Sequence, residues 1–143
     1  MASDHKDYSH TPLVKKLGVR EGSRVVVIGA PTDFELGTLP AGATRSARAG
    51  GSMDVVLIFA MHRARLHDRF PALAASLDPA GRLWVAWPKK AAAMRTDLSF
   101  ESVQRIGLDA GLVDNKSASI TEAFQGLQFV CRLKDRPRAR RAP

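Results

Sequence analysis

The chain has a single cysteine, Cys131, so no intrachain disulfide framework is open to it. That scarcity fits a reducing compartment. No apolar run approaches the ~20 residues of a membrane span. The first ten residues, Met1 to His10, are polar, so no secretory signal is read and the expected location is cytoplasmic. Aromatic residues are sparse at 6%, and none is interleaved with the terminal arginines, which leaves no base-stacking platform there. The histidines offer no metal pair. His62 and His67 are five apart and face different sides of a helix, while His5 and His10 lie in an end expected to be disordered. No metal site is expected.

What remains has the make-up of one ordinary globule, with 45% hydrophobic and 25% charged residues. A chain of 143 residues suits one domain. Such a chain buries roughly 70% of its unfolded surface, so it folds without a disulfide or metal. The net charge of +8 is unevenly spread. Residues 11–135 hold 17 Lys and Arg against 12 Asp and Glu, a balance of +5. The last stretch carries Arg136, Arg138, Arg140 and Arg141 and no acid. Such a tail is expected to be disordered. It reads either as a solvated end or as a phosphate-seeking arm for nucleic acid.

The pattern of elements is α/β. Thr11 to Gly18 reads as a short helix, with Thr11 as cap, Pro12 in the first position and Gly18 at the end. Residues 24–29 form a strand whose continuous Val/Ile run implies cover on both faces. Pro31, Gly37, Pro40 and Gly42 then exclude a long helix, although Thr32 to Glu35 allow one helical turn. Residues 44–48 make a short edge strand. The gap to Asp54 is too short for a crossover, so this strand is antiparallel to the next one or not its neighbour. Residues 54–59 form the second buried strand. From Met61 to Leu77, the spacing of Leu66, Phe70, Leu73 and Leu77 predicts a helix, with a kink or restart at Pro71. Residues 78–81 are a turn, and residues 82–87 a third strand stopped by Pro88. Ser99 caps a helix to Ala110 that buries Phe100, Val103, Ile106 and Ala110. Two last strands, the final one carrying Leu127, Phe129, Cys131 and Leu133, pair antiparallel. The predicted fold is a three-layer, mostly parallel sheet of about five or six strands with an antiparallel C-terminal pair.

The strand 24–29 runs into Ala30-Pro31-Thr32-Asp33-Phe34, where a nucleotide-binding sheet would place a glycine-rich loop. Only Gly29 and Gly37 lie near it, and Pro31 removes a backbone donor. Further on, Asp54-Val55-Val56-Leu57 opens a strand, a helix follows, and Leu77-Asp78-Pro79-Ala80-Gly81-Arg82-Leu83 leads into another strand. This run resembles the second half of a class I S-adenosylmethionine-dependent methyltransferase, whose LxPGGxL turn enters its fifth strand. The resemblance spans roughly residues 22–133 and implies a truncated, Rossmann-like sheet. Its GxGxG loop is replaced here by Gly29-Ala30-Pro31-Thr32-Asp33. Its ribose-binding acid on strand two has no counterpart, since strand 44–48 ends at Arg48. One strand and two crossover helices of its first half are also missing.

A second resemblance covers the whole chain. Thr11-Pro12-Leu13-Val14-Lys15-Lys16-Leu17-Gly18, Trp84-Val85-Ala86-Trp87-Pro88-Lys89-Lys90, Thr96-Asp97-Leu98 and Gly111-Leu112-Val113-Asp114-Asn115-Lys116 are similar to the domain of unknown function 3052 family of small bacterial proteins. That resemblance implies a shared shape and no assigned activity. The expected organisation is a disordered N-terminus at 1–10, a single Rossmann-like domain at 11–135 and a basic disordered tail at 136–143.

Ligands of open α/β sheets bind outside the strand carboxyl ends. The loops after Gly29, Phe59 and Trp87 should converge there. They offer Asp33, Glu35, His62, Arg63, Lys89, Lys90, Arg95 and Asp97. Gly29, Asp33, Trp87, Lys89, Lys90 and Asp97 are the ligand-binding candidates, with Trp87 and the two lysines suited to an anion or a flat ring. The plainer reading gives Trp87 to the core, the lysines to solvent, and Asp97 to the dipole of the following helix. Cys131 is expected to be buried and inert. No catalytic set stands out. The missing loop leads to the expectation of a non-catalytic binding or regulatory module with no cofactor, S-adenosylmethionine being disfavoured. The alternatives are an enzyme with an altered site at the strand ends, or a nucleic-acid-binding protein using Arg136, Arg138, Arg140 and Arg141. Expected partners are an unknown protein or a small anionic ligand, with nucleic acid and a homodimer through the last strands kept open, and no membrane.

Overall fold

A computed structural model describes residues 11–132 of the chain. The expectations for residues 1–10, for Leu133 and for Arg136, Arg138, Arg140 and Arg141 lie outside the described residues. The sequence places α1 at Leu13–Leu17 and β1 at Arg24–Ile28. β2 follows at Thr44–Ser46 and β3 at Met53–Phe59. Helix α2 spans Arg63–Ser76, β4 Leu77–Pro88 and α3 Phe100–Asp109. β5 at Leu112–Ser119 and β6 at Phe124–Cys131 end the order.

The strands form one six-stranded sheet in the order β2-β1-β3-β4-β6-β5. β2, β1, β3 and β4 run parallel, and β6 is antiparallel to both β4 and β5. The expected mixed sheet with an antiparallel C-terminal pair is therefore present. β2 pairs only with β1, so the short gap after Arg48 never has to carry a crossover between neighbours.

Alternation along each strand divides the core in two. Val26, Ile28, Val56, Ile58, Leu83, Val85 and Trp87 face α2 and α3, which supply Leu66, Phe70, Leu73, Val103 and Ile106. Val25, Val27, Val55, Leu57, Phe59, Trp84 and Ala86 face the other way. There α1 contributes Leu17, and the irregular segment 29–43 contributes Leu36 with Phe34 and Leu39 packed beside it. Its prolines and glycines forbid a crossover helix, so this segment covers the sheet with separate side chains instead. Phe34 stacks edge-on against Phe59 at 5.0 Å, and Phe59 against Phe124 at 5.2 Å. No helix among the described residues is long and apolar enough to cross a membrane.

Several local expectations are corrected. Pro12, not Thr11, stands in the cap position of α1, and no side chain caps that end. Thr32 to Glu35 make a turn rather than helix, closed by the Phe34 amide on the Pro31 carbonyl at 3.0 Å. α2 runs unbroken through the exposed Pro71. Residues 78–81 do turn, but as a bulge inside β4, where the register shifts between Met53 and Val55. The Ala80 amide bonds Asp78 Oδ2 at 2.9 Å within that bulge. Phe100, the first residue of α3, is 43% exposed and not part of the buried face. Ser99 caps α3 as expected, reciprocated by Ser102. Cys131 is half-buried beside the first core, since it ends the strand.

Candidate functional site

The chain leaves β1 toward β2 on one side and returns to β3 on the other. The crevice between β1 and β3 is thus a topological switch point, the usual ligand site of such sheets. A cleft of about 310 Å³ lies there. Ile28, Ile58 and Leu66 give it an apolar floor, and Gly29 and Met61 stand at its lip. His62, Arg65 and Arg69 border it from α2, and no carboxylate lines it. Arg65 and Arg69 are one helical turn apart and so share a face.

Gly29 makes this lip possible. Its φ is +72°, in the left-handed region, and a Cβ there would stand 3.0 Å from the Phe59 carbonyl oxygen. Only glycine turns the chain so tightly against β3 without strain.

The loop after β4 is tied to the start of α2. Thr96 Oγ1 donates to the Met61 carbonyl at 2.7 Å, and the Arg63 amide donates to Asp97 Oδ1 at 2.7 Å. Asp97 therefore serves the dipole of α2, the preceding helix, and not that of α3. The reason is spatial: β3 and β4 are neighbours, so the loop after one lies beside the loop after the other. Asp97→Ala should cost about 1 kcal/mol, the usual worth of a helix cap, while Asp97→Asn keeps the acceptor and most of the stability. Equal denaturation midpoints for Asp97→Ala and the parent would refute this role.

The other candidates lie apart from this cleft. Trp87 is buried in the first core, and with Lys89, Phe100 and Gln125 it lines a separate pocket of about 380 Å³. Lys89 turns away from the cleft, and its Nζ donates to Ser119 Oγ at 2.7 Å. Lys90 opens an exposed 3-10 turn, and Arg95 is exposed. Asp33 and Glu35 are exposed on the segment after β1. His62 stands at the N-cap of α2 without a side-chain cap bond. Gly29 and His62 thus reach the cleft, whereas Asp33, Trp87, Lys89, Lys90 and Asp97 do not line it. Arg65 and Arg69 are not among the residues expected from the sequence. Their i,i+4 spacing beside Leu66 is the signal that could have found them. Elsewhere, at the amino end of the sheet, burial and then the neighbouring Arg20 lower the Arg82 pKa.

No protein-family model matches the chain, and no curated protein matches it. Solved structures do match its fold. The magnesium protoporphyrin IX methyltransferase of Synechocystis PCC 6803 with bound SAM aligns at TM-score 0.55 and 12% identity, over 84% of this chain and 74% of that one. LepI in complex with SAH and a substrate analogue aligns at 0.53 and 10%, over 85% of this chain and 47% of that one. A TehB-like SAM-dependent methyltransferase from Corynebacterium glutamicum aligns at 0.52 and 12%, covering 84% and 85%. In another structure of the cyanobacterial enzyme, the match spans only 53% of that chain.

These likenesses show the methyltransferase-like fold, and they correct two expectations. The expectations of a non-catalytic module and of no cofactor are contradicted by neighbours that are SAM-dependent methyltransferases or hold SAM or SAH, a fold that accords better with the enzyme alternative. At the end of β1 the sharp turn is made by Gly29 alone.

Proposed function

We propose that this chain is a methyltransferase-type enzyme that takes S-adenosylmethionine in the cleft between the carboxyl ends of β1 and β3. The observation that carries the reading is the coincidence of the Gly29 turn, the switch point and a cleft bordered by Arg65 and Arg69. Two guanidiniums suit the carboxylate of the cofactor's amino-acid end, whereas its ammonium and the neighbouring sulfonium find no acid in the cleft lining. Ile28, Ile58 and Leu66 suit its apolar part. β2 is Thr44-Arg45-Ser46 and runs on into Ala47-Arg48, so the ribose hydroxyls find no acid on or just after that strand. When bound, the cofactor supplies an electrophilic methyl group. His62 carries the one imidazole in the cleft lining, so it is the group placed to take up a proton from an acceptor.

Membership in the domain of unknown function 3052 family is part of this proposal, supported by the four sequence motifs. A reducing, cytoplasmic location accords with the single cysteine.

Calorimetric titration with S-adenosylhomocysteine tests the reading. The parent protein should bind it, and Arg65→Gln with Arg69→Gln should weaken binding roughly tenfold or more, as loss of charge-assisted bonds does. Gly29→Val should abolish binding, because it closes the turn against Phe59. A folded parent protein that takes up neither S-adenosylmethionine nor its demethylated product overturns the proposal.

A further inference from the structure

A second positively charged site lies away from the adenosyl cleft, on the α1 side of the sheet. A groove of about 900 Å³ runs between α1 and the edge strand β5 and reaches the β5–β6 hairpin tip. Lys15 and Lys16 line it from α1 and Lys116 from β5. Lys89 reaches the same tip from the end of β4.

The ammonium groups here are held by neutral oxygens. Lys16 Nζ donates to the Ser119 carbonyl at 3.2 Å, and Lys116 Nζ donates to the Lys16 carbonyl at 3.3 Å. Lys89 Nζ donates to the Ser119 hydroxyl at 2.7 Å. None of these acceptors carries charge, so the bonds position the ammoniums without neutralising them. Each ammonium has three donors, which leaves donors for a ligand. Glu122 is the one acid in the lining. Three lysines in the lining, with Lys89 beside its tip, stand against one carboxylate and concentrate positive potential in a concave surface, where it acts more strongly than on a flat one.

No aromatic ring lines the groove, and Trp84 beneath Lys116 is fully buried. Recognition here is by charge, without stacking. One small anion cannot touch cations spread along a groove of this size, whereas several linked anionic groups can. We propose that this groove binds a run of linked phosphates, supplied either by a free oligophosphate or by a nucleic-acid backbone. None of its residues borders the adenosyl cleft, so the inference stands apart from the methyltransferase reading.

The full chain is titrated with sodium tripolyphosphate and, separately, with a short DNA duplex. The parent should bind at least one of them, with affinity falling steeply as salt rises. Lys16→Gln with Lys116→Gln should weaken that binding by roughly tenfold or more, as removal of two phosphate-neutralising charges does. Arg105→Gln on α3 should leave it unchanged. Tighter binding of tripolyphosphate assigns the ligand as a free oligophosphate, and tighter binding of the duplex assigns a nucleic-acid backbone. Should the first variant fold poorly, Lys15→Gln with Lys89→Gln makes the same test. Two results overturn the proposal. One is no binding of either probe. The other is binding that survives both lysine pairs and is lost when Arg136, Arg138, Arg140 and Arg141 are changed to Gln.

Discussion

Trp84→Ala is expected to be among the most damaging single substitutions in this chain, costing about 3–5 kcal/mol. The side chain is fully buried in the middle of β4, in the core beneath α1. Its Nε1 donates to the Leu17 carbonyl at 3.2 Å, where α1 gives way to the left-handed Gly18. Truncation would open a cavity and leave the Leu17 carbonyl without that partner. Trp84→Phe separates the two effects. It keeps most of the apolar volume and loses the donor, so it should cost about 1–3 kcal/mol, the usual cost of an unsatisfied buried group. Urea denaturation of the three proteins measures both effects. A Phe variant as unstable as the Ala variant would show that the hydrogen bond, and not packing, holds α1 to the sheet. The consequence reaches the lysine groove: Lys116 Nζ lies 5.9 Å from the Trp84 ring centre, and Lys116 and Lys16 are joined through α1.

Residues whose surroundings are local were legible in the sequence. The Val/Ile runs of β1 and β3 announced strands covered on both faces, and Leu66, Phe70 and Leu73 announced the buried stripe of α2. Ser99 was legible as a cap because a cap acts within three residues. Asp97 was not, because its partner, the Arg63 amide, lies 34 residues away and depends on which strands are neighbours. Lys89 lies apart from the cleft for the same reason. Its direction is set by β6 lying beside β4, which brings the hairpin tip and Ser119 to it. The cleft lies where the rule for open sheets puts it, at the strand carboxyl ends, but most of the residues expected to line it do not. Chemistry favours loop residues, whereas α2 lies over the crevice and presents Arg65 and Arg69. The Gly29 turn escapes a motif search for a related reason: a motif counts several glycines, but the backbone at this turn calls for one.

The second large effect concerns Gly107, in the middle of α3, where two tendencies oppose each other. Replacing a helical glycine by alanine stabilises an exposed helix by about 0.5–1 kcal/mol. Gly107 is buried, however, and a Cβ there would run into the Phe129 ring. That ring is fully buried and packs edge-on against Phe70, with centroids 5.4 Å apart, so it has little room to give way. Overpacking of this kind costs about 1–3 kcal/mol and wins over the propensity gain. Gly107→Ala should therefore lower the melting temperature, and Gly107→Val should lower it further, since a branched side chain adds atoms toward the same ring. Phe129→Leu will itself destabilise the core, but it removes the ring atoms that the new methyl would meet. In that background Gly107→Ala should become neutral or stabilising. The sign of the Gly107→Ala effect would then depend on the residue at position 129, which a double-mutant cycle reads directly. If alanine costs the same in the Phe129→Leu background as in the parent, the close approach of α3 to β6 does not explain why glycine stands there.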